Sequence, residues 1–137
     1  MPLLLEIVTP DAKVFSGEVN SVVLPGQLGE MGVLPNHAPL VTVILPGELH
    51  YTVGTTVMEY AVGAGFVEVN GEGVKVLTDV ALQDAHIDEA TVQEALAKAE
   101  ARLQDAPNLG AEEVASVEAS IANALAQLKL KRKRRSL

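Results

Sequence analysis

The sequence predicts an α+β chain in two parts: an N-terminal antiparallel β-sandwich or flattened barrel, then a C-terminal antiparallel two-helix hairpin. Three observations carry this. Short runs rich in Val, Leu, Ile and Thr recur over residues 3–80, divided by turn residues, the pattern of a sandwich or barrel. From about Asp88 the period changes: glycine vanishes until Gly110 and alanine becomes common. Between these stands residues 24–46, where four of the seven prolines and three of the eleven glycines punctuate an aliphatic segment. Pro fixes φ and Gly permits φ > 0, so this segment makes sharp corners between short buried strands.

Taken in order, the strand runs fall at 3–9, 18–24, 40–45, 49–53, 57–62, 66–70 and 74–80. The breakers between them are Pro10-Asp11, Ser16-Gly17, Pro46-Gly47, Gly54, Gly63-Ala64-Gly65 and Asn70-Gly71. Leu49, Tyr51 and Val53 alternate with His50 and Thr52, as a half-buried strand requires. Asn70-Gly71 marks a hairpin within a longer turn. In the second part, Val92, Leu96, Ala99 and Leu103 share one helical face. Thr91 with Glu94 offers a capping box, and Asp88 is a competing N-cap. Ala106-Pro107-Asn108-Leu109-Gly110 breaks the helix. A second helix follows with Val114, Val117, Ile121, Leu125 and Leu128 as its stripe, and the short break predicts an antiparallel hairpin. Residues 1–85 are expected to form the sandwich domain and 86–137 the helical domain. The alanine-rich hairpin buries little area per residue and is expected to detach or open.

Composition excludes several classes. With 48% apolar residues the chain has enough for a core, and with 3% aromatic residues it has no platform for stacking bases. There is no cysteine, which removes disulfides and thiolate metal sites. The opening Met1-Pro2-Leu3-Leu4-Leu5-Glu6 is read as no signal peptide, and no uncharged run reaches the roughly 18 residues of a membrane span. Net charge is −8, but unevenly placed. Residues 1–128 carry all 18 acids against four cations, hence −14, while residues 129–137 carry six cations and no acid.

No catalytic constellation is present. His37, His50 and His86 lack the short spacings of zinc ligands. His50 reads as an exposed strand position and His86 as a surface residue before a helix. For His37, in the turn-rich segment, a structural role competes with a contact role. Gly26, Gly29 and Gly32 are followed by no Gly-Lys-Ser/Thr and make no phosphate loop. No serine sits in a Gly-x-Ser-x-Gly setting and no metal site is expected. The tail residues Lys129, Lys131, Arg132, Lys133, Arg134 and Arg135 have three readings: a solubilising helix end, a nucleic-acid or anionic-membrane contact, or docking on an acidic protein surface. Five consecutive cations surround a helix rather than forming one face, and the acidic body repels phosphate, so the third is favoured.

The run Leu24-Pro25-Gly26-x-x-Gly29-Glu30-Met31-Gly32-Val33-Leu34-Pro35-Asn36-His37-Ala38-Pro39-Leu40 resembles the signature of the epsilon-subunit family of F-type ATP synthases. Chloroplast epsilon and mitochondrial delta subunits belong to that family. Phe15-Ser16-Gly17, Gly63-Ala64-Gly65-Phe66-Val67-Glu68-Val69, Val76-Leu77-Thr78-Asp79 and Ile87-Asp88 extend the resemblance over nearly the whole chain, with Ala64 where the family has glycine. The resemblance implies a non-catalytic rotor subunit of the central stalk, without cofactor. Its partners are then the gamma subunit, the c-subunit ring and, with the hairpin extended, the alpha/beta catalytic hexamer, whose ATP hydrolysis it blocks. The ring-facing residues correspond to Gly29, Glu30 and Met31, with His37 nearby. The six tail cations would meet an acidic beta-subunit surface. Location would be peripheral, on the cytoplasmic side of a bacterial inner membrane, with the stromal side of a thylakoid as the lesser alternative. Some relatives bind ATP through Ile/Leu-Asp-x-x-Arg-Ala. Here the stretch reads Ile87-Asp88-Glu89-Ala90-Thr91-Val92, so Asp88 matches and Thr91 replaces the arginine, and no nucleotide binding is expected. The other reading is a free-standing sandwich module whose basic tail contacts nucleic acid.

Overall fold

The computed structural model describes residues 3–135, and the side chains of Asp84, Arg134 and Arg135 lie outside the described residues. Ten strands come first: β1 (Leu3–Val8), β2 (Lys13–Val19), β3 (Ser21–Gly26), β4 (Gly29–Val33), β5 (Leu40–Ile44), β6 (Gly47–Val53), β7 (Thr56–Val62), β8 (Gly65–Val69), β9 (Gly73–Thr78) and β10 (Ala81–Gln83). A 3-10 turn over Asp84–His86 leads to α1 (Glu89–Leu103), and a second over Ala106–Asn108 leads to α2 (Ala111–Arg135).

The strands run in the order β10-β7-β6-β3-β5-β8-β9-β1-β2, with β4 paired to β3. Pairing is antiparallel except between β1 and β9. That parallel pair joins strands distant in sequence, which is the geometry a long crossover permits. The path folds over on itself, and the Phe15 ring on β2 lies 4.4 Å from that of Tyr51 on β6. Alternation fills the interior: Leu3, Leu5 and Ile7 of β1 are buried with Val67 and Val69 of β8 and Val74 and Val76 of β9. Leu24, Ile44 and Leu49 complete an aliphatic core. Burial pushes the Tyr51 phenol up to about 12, with neighbouring Tyr60 adding to the shift.

The expected strand over 18–24 is broken at Asn20, whose side-chain oxygen accepts from Gly54 N–H at 2.6 Å; its start belongs to β2, which runs on through the expected Ser16-Gly17 break, and the rest to β3. β4 and β10 are additional. The Asn70 turn is as read: its side-chain oxygen accepts from the Glu72 and Gly73 N–H groups. Gly65 opens β8 because the backbone of β9 leaves no room for a side chain there; a Cβ would overlap the Leu77 carbonyl oxygen.

The hairpin is antiparallel. Arg102 near the end of α1 pairs with Glu113 near the start of α2, and Arg132 near the end of α2 pairs with Glu89 at the start of α1. The N-cap is Asp88, whose carboxylate accepts from Thr91 N–H at 3.3 Å, rather than the Thr91 box. This hydrogen bond holds the Asp88 carboxyl below its usual range. No residue of α1 is buried. Of the expected α2 stripe, Val117 and Leu128 are buried, but Leu125 is 52% exposed. The covered face rotates along α2, because its first turns lie against α1 and its last turns also lie against β6 and β7.

Candidate functional site

The proline- and glycine-rich segment forms one end of the sandwich. β3 and β4 pair down to Gly26 opposite Gly29, leaving Gln27 and Leu28 as the turn. Gly29 has φ +119°, a backbone conformation that only glycine adopts without strain. Leu28 at the tip is fully exposed. Gly29 and Glu30 are exposed, whereas Met31 is half-buried and packs against the sandwich core. Asn36 holds φ 69°, which turns the chain before His37. His37 Nδ1 lies 2.7 Å from the Ala38 carbonyl oxygen. Since a carbonyl only accepts, Nδ1 is the donor in this contact.

The tail stands close to this end, not away from it. A cleft of about 370 Å³ is lined by Pro25, Gly29 and Glu30 from the β3–β4 turn, Glu48 and His50 from β6, and Lys129 and Lys133 from α2. His50, expected to be exposed, is half-buried here because α2 covers that face. Lys133 Nζ lies 2.9 Å from Glu48 Oε1 and 3.1 Å from Glu59 Oε2. Hydrogen bonds to these two carboxylates raise the Lys133 ammonium above its usual value. Arg132 Nε donates to Glu89 Oε1 at 3.1 Å, and Lys131 adds to the lowering of Asp88. Leu130 is 0% exposed, packed with Ala61, Ile87, Leu82 and Val92.

The opposite face of the sandwich carries an apolar row beside a charged one, Glu68, Lys75 and Glu6, and no described element packs over it. Cross-strand register aligns Val43, Phe66, Leu77 and Val8 in one row over β5, β8, β9 and β1. Phe66 is 56% exposed and Leu77 42%. A cavity of about 420 Å³ beside the row is lined by Val8, Pro10, Ala64 and Leu77 among others. Exposed apolar residues in a row are of the kind found at interaction sites. Sequence reasoning missed this row, Leu28, and the Glu48–Glu59 pair. The signal for the row was present, since Phe66 and Leu77 fall on the polar phase of strands whose other members face the core.

Among the described residues, no group of three His, Asp or Glu side chains is placed to hold a metal, and no helix is long and apolar enough to cross a membrane.

Residues 2–84 match the family model described as the ATP synthase delta/epsilon chain, beta-sandwich domain. The ATP synthase epsilon chain of Herpetosiphon aurantiacus is 39% identical over 136 residues, covering 99% of this chain and 98% of that one. The ATP synthase epsilon chain of Dehalococcoides mccartyi is 44% identical over 135 residues, covering 97% and 94%. A chain in the Euglena gracilis mitochondrial ATP synthase structure, described as OSCP/F1/c-ring, shares the fold with TM-score 0.74 and 24% identity, covering 98% of this chain and 81% of that one.

Proposed function

Since this chain belongs to the ATP synthase delta/epsilon family, we propose that it is the epsilon subunit of a bacterial F-type ATP synthase, a non-catalytic part of the rotor. The observation that carries this is the end-to-end match to epsilon chains, through sandwich and hairpin alike. The geometry agrees with two anchoring surfaces. The apolar row of Val43, Phe66 and Leu77 suits a large hydrophobic partner, and we assign it to gamma. The β3–β4 end, with Leu28, Gly29, Glu30 and His37, suits the polar loops of the c-ring. Met31 supports this end from within. The sandwich domain, 1–85, anchors the chain, and the hairpin, 86–137, regulates. The complex holds the chain at the cytoplasmic side of the inner membrane.

Regulation follows from charge. In an extended state, Lys129, Lys131, Arg132, Lys133, Arg134 and Arg135 would face an acidic beta-subunit surface and impede hydrolysis. Each exposed pair supplies only ~0–1 kcal/mol, but several together bias a marginal equilibrium. Replacing all six by Gln in the assembled enzyme should relieve inhibition of ATP hydrolysis; an unchanged rate counts against the idea. A disulfide between Glu30→Cys and a cysteine in the c-subunit loop tests the ring contact.

A further inference from the structure

We propose that the last turns of α2 are a latch that fixes the hairpin to the sandwich, so Lys133 must release Glu48 and Glu59, and Arg132 must release Glu89, before these cations reach any outside partner. The extended state itself rests on the proposed function; the latch is a property of the chain alone.

Three features place the attachment there. α1 has no buried residue, so the hairpin gains little hold from it. Among the described side chains of α2, Leu130 is enclosed most completely, in a notch made by Ala61 of β7, Ile87 and Leu82. Around it the cations divide by direction: Lys133 spans Glu48 and Glu59 across the β6–β7 pair, while Arg132 ties α2 to the start of α1 at Glu89. One apolar pin and an ionic clamp thus sit within four residues. The clamp lies beside Glu30 and Gly29 in the shared cleft, so docking of the tail and the surface at the β3–β4 turn are neighbours in space. Cations held in this way are neutralised by the chain's own acids. The tail therefore has two competing sets of acidic partners, one intramolecular, and cannot serve both.

The test is hydrogen exchange on the full-length isolated chain, comparing the α2 amides with those of β8 and β9. Lys133→Gln should raise α2 exchange by about two- to fivefold, since two carboxylates lose their partner at once. Leu130→Ala should raise it by about thirtyfold or more, as loss of a fully buried leucine requires. Lys133→Arg should retain most of the protection. Strands β8 and β9 should be unaffected throughout. Unchanged α2 exchange in Lys133→Gln, or an equal rise in the sandwich strands, overturns the latch. Leu130→Ala is dispensable should it fail to fold. Because no other subunit is present, failure here leaves assembly with gamma and the c-ring as a separate question.

Discussion

Lys133, in the last turns of α2, lies 3.1 Å from Glu59 on β7, so the basic tip of the chain rests on its acidic body. The charge division along the sequence is a contact in space. Its pH behaviour has a definite sign. Lys133 is raised above 10.5, so its contribution is complete below 10.5 and is lost as pH rises through the folded value. The absence of cysteine allows paired dyes at Thr55→Cys and Ala115→Cys. Their energy transfer should hold steady through neutral pH and shift above about 10.5, and Lys133→Gln should remove that step.

Asn123 Oδ1 is buried on α2 with no hydrogen-bond partner among the described residues. A buried polar atom left unpaired costs about 1–3 kcal/mol, so Asn123→Leu should stabilise the packed hairpin by about 1 kcal/mol. Slower exchange of α2 amides than in the parent chain would bear this out.

Gly65→Ala should destabilise the sandwich by about 1–3 kcal/mol, since its Cβ meets the Leu77 carbonyl and the β9 backbone has to shift. Urea unfolding of the two chains measures the difference.

Asp88 is already committed to capping α1 through Thr91 N–H, and the arginine of the ATP motif is missing. Titration calorimetry with Mg-ATP should show no submillimolar binding. Asp88→Ala should fray the first turn of α1, seen as faster exchange there, and leave the calorimetric trace unchanged.

Much of the fold was legible because each part kept one period. Val67 and Val69 alternate cleanly, and the Asn70 turn announces itself. What was missed has local causes. Gly29-Glu30-Met31-Gly32 looks like a turn, yet pairs with β3 as a strand. The 18–24 run shows no break at Asn20 because both flanking strands are aliphatic. Leu125 fits the α2 stripe, but the stripe rotates as its neighbours change from α1 to the sandwich. His50 looked exposed for the same reason: only the tertiary position of α2 covers it. The tail was legible as charge but not as a contact, since Glu48 and Glu59 carry no mark of a docking site in sequence.

The claim on which the rest depends is that this chain is a rotor subunit seated through its sandwich. The most direct test is affinity purification of the tagged full chain from detergent-extracted bacterial membranes, beside Phe66→Glu. Phe66 is more than half exposed, so the substitution should leave the sandwich folded. The account predicts that the parent chain brings down gamma and the c-ring together and that Phe66→Glu loses gamma. Recovery of the parent chain without either partner would contradict it.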